Sequence, residues 1–216
     1  MGIPVLILGE SGSGKSASLR NFTPESVGIF NVAGKPLPFR KKLNAMSTVK
    51  TTEGGFRRIN YNDILKGLAR CKYKSYVIDD SQYLMAFEEL DRAKENGYTK
   101  FTEMALNFTG LVRYIIDMLP PDVIVYFLHH TETSEMGKVK AKTVGKMIDS
   151  KLTLEGMFSI VLLCEASAEG HHFITQSDGY TTAKSPMEMF DKEIDNDLAM
   201  VDAIIREYWN LGGSNE

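Results

Sequence analysis

A glycine-rich segment near the start of the chain has the residue types and the spacing of a phosphate-binding loop. Residues 9–16 read Gly-Glu-Ser-Gly-Ser-Gly-Lys-Ser and match the pattern G-x-x-x-x-G-K-[ST]. A backbone that turns its N–H groups toward phosphate oxygens requires glycine wherever a Cβ would block the turn. We expect that requirement at Gly9, Gly12 and Gly14, so the segment predicts a site for phosphate groups.

The last two residues of this segment supply a charge and a metal ligand. Lys15 is expected to reach the β- and γ-phosphates and to assist catalysis, and the Ser16 hydroxyl is expected to ligate Mg²⁺. An apolar strand over residues 4–8 and a helix over residues 15–21, with its dipole beneath the phosphates, flank the segment as such a site requires. The predicted cofactors are ATP and magnesium. The predicted nucleotide-binding residues are Gly9, Glu10, Ser11, Gly12, Ser13, Gly14, Lys15, Ser16 and Ala17.

A second segment ends in two carboxylates, in the manner of a Walker B strand. Residues 76–78 are apolar, and Asp79 and Asp80 follow them. Continuous apolarity predicts a strand that is buried on both faces of a parallel sheet, and ligands bind at the carboxyl ends of such strands. Asp79 is therefore expected to join Ser16 in the magnesium site, and Asp80 to polarise the attacking water as a catalytic residue. The alternative for Asp80 is the N-cap of the following helix.

A third apolar segment, residues 123–128, ends in the polar residues His129, His130 and Thr131. A strand in this position is where additional-strand P-loop ATPases keep a sensor of the γ-phosphate. Adjacent strand residues face opposite sides, so only one histidine of the pair should meet the nucleotide. We assign that catalytic role to His130, with Thr131 as the substitute. The alternative for either histidine is an ordinary hydrogen-bonded residue at the end of a strand.

The charges are segregated along the chain, although the formal net charge of −3 gives no global sign of nucleic-acid binding. One basic stretch lies between residues 35 and 58. Residues 133–151 form another, which we predict to be a mobile loop that contacts single-stranded DNA or inserts one lysine into a neighbouring subunit. Plain solvated loops are the alternative. The candidates for DNA binding or for action in trans are Lys138, Lys140, Lys142 and Lys146, together with Lys184.

The length and the remaining pattern indicate one α/β domain. The 216 residues contain no linker, so we predict a single domain over 1–216. Helical periodicity predicts helices over 82–96, 99–118 and 196–209, and residues 158–164 and 171–175 are predicted to form a hairpin that extends the sheet.

Two features of composition bear on the compartment. Cys71 and Cys164 have no C-x-x-C spacing, which favours a reducing, cytoplasmic environment over a disulfide framework. The apolar start of the chain is too short for the core of a signal peptide, and no segment approaches the ~20 apolar residues of a membrane helix. We therefore expect no membrane partner.

Taken together, these segments resemble the phage-encoded RecA-like P-loop ATPases, which include the fourth Sak type of single-strand annealing recombinase. The resemblance implies a RecA-like core with a central, mostly parallel sheet flanked by helices. It also implies single-stranded DNA as a partner, a homo-oligomer, a single-strand-binding protein as a further partner, and the cytoplasm of a bacterial host. The segments that carry it are residues 9–16, 31–39, 77–84, 127–131, 142–146 and 182–187.

The sequence departs from the cellular RecA-type recombinases after the second strand. Residues 31–34 read Asn-Val-Ala-Gly and lack the catalytic glutamate found there in those enzymes. The expected function is an ATP-hydrolysing, DNA-binding protein of phage recombination or annealing. The two alternatives are a P-loop kinase of a small acceptor, although the sequence has no arginine-rich lid, and a nucleotide-gated binding module that does not hydrolyse ATP.

Overall fold

A mostly parallel β-sheet forms the centre of the protein. The computed structural model describes residues 1–144 and 153–212. The strands are β1 (Ile3–Gly9), β2 (Val27–Asn31), β3 (Ala45–Met46), β4 (Thr48–Lys50), β5 (Phe56–Arg58), β6 (Ser75–Asp79), β7 (Ile124–Thr133), β8 (Val139–Ala141), β9 (Ile160–Ser167), β10 (Gly170–Ile174) and β11 (Glu193–Asp195). The α-helices are α1 (Tyr61–Ala69), α2 (Gln82–Asp91), α3 (Thr99–Met118) and α4 (Leu198–Tyr208), and short 3-10 helices cover Ser16–Asn21 and Leu154–Met157.

The order of the strands brings distant segments of the sequence to one edge. Along the sheet it is β11-β10-β9-β1-β7-β6-β2-β3, and β8 pairs with β7. The six strands from β9 to β3 run parallel, whereas β10, β11 and β8 are antiparallel to their neighbours. The register pairs Gly9 with His130 and Asn31 with Asp79. The carboxyl ends of β1, β6 and β2 therefore lie at the same edge of the sheet as His130, and β7 continues three residues beyond it.

Helices cover both faces of the sheet, which explains the continuous apolar runs in its strands. On one face, Leu6 and Leu8 of β1 pack in a cluster with α1, α2 and α3, where Phe108 is fully buried. On the other face, Val5 and Ile7 pack in a cluster with the first 3-10 helix and α4. Because every side chain of such a strand meets a helix, there is no solvent-facing side to carry polar residues.

The predicted architecture is therefore confirmed as α/β with a mostly parallel sheet flanked by helices. The predicted hairpin is present as β9 and β10, and it extends the sheet. The pairing of β11 with β10 continues that extension and was not predicted. Helix α3 has the predicted bounds, but α2 ends at Asp91 instead of residue 96.

The prediction of a mobile loop after residue 133 is wrong over its first part. β7 continues through His129 and His130 to Thr133, and β8 returns alongside it, with Thr131 paired to Ala141 and Thr133 to Val139. The residues of this hairpin are mostly polar and include several lysines, so no apolar pattern in the sequence marked them as strands. The remainder of the predicted loop, including Lys146, lies outside the described residues.

Among the helices of the described residues, none is both long enough and apolar enough to span a bilayer.

A buried polar network fastens α4 to the sheet. Asp202, which is 8% exposed, accepts hydrogen bonds from Ser75 Oγ at 2.7 Å and from Tyr126 OH at 2.9 Å. Its second oxygen accepts from Arg206 Nε at 2.7 Å, and the same guanidinium donates to the carbonyl groups of Lys74 and Asp122. This network joins the C-terminal helix to the beginnings of β6 and β7.

Removing the shared carboxylate should destabilise the protein. We expect Asp202→Ala to lower the free energy of unfolding by about 2 kcal/mol or more, because the buried Tyr126 hydroxyl and the guanidinium lose their acceptor. Urea unfolding measures the difference. Glu207→Ala, at an exposed position of the same helix, should stay within about 0.5 kcal/mol of the wild type. Equal stabilities of the two variants would contradict the role of the network.

Candidate nucleotide-binding site

The glycine-rich loop, residues 9–16, uses its three predicted glycines for different reasons. Gly12 and Gly14 have φ values of 84° and 101°, a region that side chains rarely adopt. A Cβ on Gly9 would lie 2.4 Å from Ser13 Oγ and 2.8 Å from the carbonyl oxygen of Cys164. A Cβ on Gly12 would meet open space, so there the conformation alone requires glycine. The loop is thus a tight turn packed against β9.

The Lys15 side chain folds back against this loop. Its side chain is 6% exposed, and Nζ donates hydrogen bonds of 2.7 Å to the carbonyl groups of Gly9 and Glu10. Burial lowers the pKa of this amine. The predicted helix after the loop is present only as the short 3-10 helix Ser16–Asn21, so its dipole would contribute little to phosphate binding. The buried ammonium group supplies the positive charge instead.

The two predicted magnesium residues meet directly. Ser16 Oγ donates a hydrogen bond of 2.9 Å to Asp79 Oδ1, although 63 positions separate them in the sequence. Asp79 is 4% exposed, and burial together with the neighbouring charge of Asp80 raises its pKa to about 6, against the opposing effects of Ser16 and Lys15. A hydroxyl and a carboxylate oxygen are ligands that Mg²⁺ accepts. The donor set at this point fits a magnesium ion.

Asp80 occupies a different environment from Asp79. Its Oδ1 accepts a hydrogen bond of 3.1 Å from His130 Nε2, and its Oδ2 lies 2.7 Å from Lys35 Nζ. Burial acts to raise the pKa of Asp80, but the hydrogen bonds from His130 and Lys35 outweigh it and lower the pKa. The backbone of Asp80 is left-handed, with φ at 58°. The carboxylate is therefore ionised and held on both oxygens.

The alternative of a helix cap at Asp80 is wrong. Helix α2 has Ser81 at its N-cap position, and no side chain there accepts a hydrogen bond from the helix backbone. The Ser81 hydroxyl contacts the carbonyl oxygen of Leu128 and the ring of His129 instead. The side chain of Asp80 points to Lys35 and His130, as described above.

The two histidines of β7 face opposite ways, as strand geometry predicts. His129 is fully buried, with Nε2 2.8 Å from the carbonyl oxygen of Lys142 and Nδ1 2.9 Å from Ser81 Oγ. Burial lowers its pKa to about 4, so the ring is neutral, and Nε2 carries the hydrogen because a carbonyl only accepts. His129 thus has the structural role given above as the alternative. His130 borders the candidate site.

These residues surround a cleft of about 320 Å³ at the carboxyl edge of the sheet. That volume lies at the lower end of the roughly 300–1,000 Å³ typical of small-molecule sites. The predicted residues in its wall are Ser11, Gly12, Gly14, Lys15, Ser16, Ala17, Asp79, Asp80 and His130.

Four residues of the cleft wall were not predicted as part of it: Lys35, Pro36, Pro38 and His171. Lys35 follows β2, and the sequence indicated only that it belongs to a basic stretch. His171 of β10 lies against the loop so closely that a Cβ on Gly14 would be 2.7 Å from its ring. The sequence signal for His171 was weak, because its proximity depends on β10 pairing with β9 and β9 with β1.

A larger cavity of about 730 Å³ lies elsewhere, between β5, α1 and α2. It contains none of the predicted site residues, and its wall includes Arg58, whose guanidinium lies 4.6 Å from the centre of the Phe87 ring. Size alone does not identify a site. The smaller cleft combines a glycine-rich loop, a buried lysine and paired carboxylates, so we consider it the better candidate for phosphate chemistry.

The candidate DNA-binding lysines lie outside the cleft wall in the part of the chain that is described. Lys138 is exposed at the β7–β8 turn, and Lys142 is exposed just after β8. Lys140 lies on β8 and pairs with Glu132 at 2.9 Å. Lys184 is exposed, and its backbone pairs with Val161 of β9. The structure therefore gathers Lys138, Lys140 and Lys142 on one hairpin and leaves Lys184 on a separate segment.

Neither models of protein families nor curated protein sequences match the chain.

The pKa of Asp79 gives a test of the site that needs no ligand. A carboxyl whose pKa is raised from 3.8 to about 6 on folding favours its protonated form, so stability is lost as pH rises from 4 to 6. Asp79→Asn removes this loss. Its stability relative to the wild type should therefore rise by about 2.5 kcal/mol between pH 4 and pH 7, measured by urea unfolding in a chelator.

The matched control is Asp117→Asn, at an exposed position of α3. Its stability relative to the wild type should stay nearly constant over the same pH range. A flat profile for Asp79→Asn as well would show that this carboxylate is not held in an unfavourable buried environment.

Proposed function

We propose that the chain is a magnesium-dependent ATPase with a RecA-like domain, which acts on single-stranded DNA in phage recombination or annealing. The observation that carries the proposal is the 2.9 Å contact between Ser16 Oγ and Asp79 Oδ1 in the cleft of Lys15. This contact places a hydroxyl and a carboxylate together beside a buried cation. Together they match the needs of a magnesium-bound triphosphate.

The arrangement of the strands supports the RecA-like assignment. β7, which carries His130, lies between β1, which leads into the glycine-rich loop, and β6, which carries Asp79. The resemblance to additional-strand P-loop ATPases implies an inserted strand at this position. His130 then lies level with the end of β1, where a side chain can respond to a terminal phosphate.

In this proposal each side chain of the cleft has a separate role in hydrolysis. Magnesium, when bound, would neutralise charge on the phosphates and act as a Lewis acid. Ser16 and Asp79 would hold the ion, and Lys15 would stabilise negative charge on the β- and γ-phosphates. Asp80, which is ionised, orients the attacking water, and His130 keeps the Asp80 carboxylate in position through Oδ1.

A direct connection links this cleft to the basic hairpin. The N–H of Lys142 donates a 2.9 Å hydrogen bond to the carbonyl oxygen of His130, and His129 Nε2 donates to the carbonyl oxygen of Lys142. A shift of His130 would therefore move the segment that carries the lysines. This supports a coupling between nucleotide state and DNA binding at Lys138, Lys140 and Lys142.

The oligomeric state, the compartment and the protein partner in this proposal follow from the resemblance alone. It comprises a homo-oligomer in the cytoplasm of a bacterial host, with a single-strand-binding protein as a further partner. In such an oligomer one lysine of the basic hairpin, or Lys184, would enter the cleft of the next subunit instead of contacting DNA.

Phosphate release measured with and without single-stranded DNA tests the proposal. Wild-type protein should release phosphate from magnesium-ATP, and Lys15→Ala should lose nucleotide binding while keeping its fold, because the glycines set the loop conformation and the lysine supplies the charge. Thermal unfolding of the variant serves as the control for folding. ATP binding by Lys15→Ala at wild-type affinity would refute the assignment of the loop.

A nucleotide-gated module that does not hydrolyse ATP is the second candidate, and one observation favours it. Both oxygens of Asp80 are engaged by protein groups, which leaves neither in position to orient water unless a partner moves. Asp80→Asn separates the candidates. Under the ATPase proposal it keeps magnesium-ATP binding and slows release of phosphate, whereas a binding module shows no turnover to lose.

The exposed lysines of the hairpin give a test of DNA binding. Replacing Lys138 and Lys142 with Ala should weaken binding of all single-stranded sequences alike. The slope of the logarithm of the binding constant against the logarithm of salt concentration should fall by roughly 0.7 for each phosphate contact removed. Fluorescence anisotropy with a labelled oligonucleotide at several salt concentrations measures both quantities.

Lys66→Ala with Lys94→Ala is the matched control, since both are exposed lysines away from the hairpin. This pair should leave the salt slope unchanged. If the Lys138 and Lys142 variant keeps its affinity and slope but loses turnover in a manner that depends on protein concentration, the lysines act in trans. If nothing changes, DNA binds elsewhere, and the stretch between residues 35 and 58 is next to be tested.

A further inference from the structure

Lys35 is a second cation in the cleft, and a hydrogen-bonded turn after β2 holds it there. Asn31, at the end of β2, is 5% exposed and donates a 2.6 Å hydrogen bond from Nδ2 to the carbonyl oxygen of Lys35. Its Oδ1 accepts a 2.8 Å hydrogen bond from the N–H of Gly34, whose φ of 69° closes the turn. Because Asn31 pairs in register with Asp79, this turn fixes Lys35 beside the two carboxylates.

The contacts of the Lys35 ammonium suit a change of partner. Nζ lies 2.7 Å from Asp80 Oδ2 and 5.2 Å from the centre of the Tyr83 ring, yet the side chain is 60% exposed. The exposed side chain leaves the ammonium free to move, and Asp80, whose side chain is only 10% exposed, keeps the hydrogen bond from His130 when Lys35 moves to another anion. Lys15, by contrast, is buried and fixed on loop carbonyl groups.

Charge balance indicates what would attract Lys35 away from Asp80. The described wall of the cleft carries the carboxylates of Asp79 and Asp80 and the ammonium groups of Lys15 and Lys35. Mg²⁺ would offset Asp79, and Lys15 would offset part of the phosphate charge. A terminal phosphate that approaches Asp80 would be repelled unless a cation lies between them, and Lys35 has that position.

We propose that Lys35 is a phosphate-binding residue that acts within its own subunit, exchanging Asp80 for the terminal phosphate when a nucleoside triphosphate binds. A diphosphate lacks the group that draws Lys35 away, so Lys35 distinguishes the two nucleotides. The exchange also frees Asp80 Oδ2, while His130 keeps its hold on Oδ1. Arrival of the triphosphate thereby releases the carboxylate that orients water. This role rests on the proposed function of the cleft.

The test compares affinities instead of turnover. Binding of a non-hydrolysable ATP analogue and of ADP, each with magnesium, is measured by calorimetry on wild type and on Lys35→Met, which keeps an unbranched side chain but removes the charge. We expect Lys35→Met to bind the triphosphate at least about tenfold more weakly and the diphosphate nearly as the wild type does, since a charge-assisted hydrogen bond is lost only with the former. Lys35→Arg should restore most of the difference.

The matched control is Lys72→Met, because the Lys72 ammonium also lies over a tyrosine ring, at 5.0 Å from the centre of Tyr73, but outside the cleft. It should change neither affinity. If Lys35→Met lowers both affinities equally, or neither, while binding still depends on Lys15, the role of Lys35 is refuted and the nucleotide site stands. If the wild type binds neither nucleotide, the proposed function fails and the role of Lys35 with it.

Discussion

The parallel register of four strands is the constraint on which the candidate site depends. Gly9 at the end of β1 pairs with His130 of β7, and Asn31 at the end of β2 pairs with Asp79 at the end of β6, so these four positions lie at one edge of the parallel sheet. Each strand therefore delivers a different group to the same edge: a loop that binds phosphate in our proposal, a histidine, two carboxylates and a lysine-bearing turn. A shift of one residue in any of these pairings would turn the delivered side chain to the other face of the sheet. Close packing of differently shaped side chains on both faces opposes such a shift.

Much of this arrangement could be predicted, because the relevant signals are local. The spacing of glycines in residues 9–16, the carboxylates that end an apolar run, and the alternation that separates His129 from His130 each need only a few adjacent residues. The positions of Lys35 and His171 could not be predicted in this way. They depend on which strands are neighbours, and strand order is set by long-range packing that a single sequence does not display. The β7–β8 hairpin was missed because its residues are mostly polar and lack the run of apolar residues that marks the other strands.

The fold shifts the pKa values of two adjacent carboxylates, Asp79 and Asp80, in opposite directions. Asp79 is enclosed, and its pKa rises to about 6, whereas Asp80 meets an ammonium and an imidazole and its pKa is lowered. The left-handed backbone at Asp80 turns the second side chain away from the first. Pairs of titratable groups that are driven apart in this manner are common at sites with acid, base or metal chemistry. Here the enclosed member stands next to Ser16 and the charged member next to Lys35, which separates a position suited to a metal from one suited to water.

The length of β7 has a mechanical consequence. This strand has ten residues, and its last three, Thr131 to Thr133, pair with β8 beyond the residue that meets the cleft. At about 3.3 Å for each residue, the ribbon projects roughly 10 Å past His130. A hydrogen-bonded ribbon bends much less readily than a single strand, and the β8 side of this ribbon is also tied at Val139 to the carbonyl oxygen of Tyr180 and at Ala141 to Glu155 Oε1. The ribbon therefore acts as a rigid spacer that holds its tip, where Lys138 is exposed, at a fixed distance from the candidate cleft.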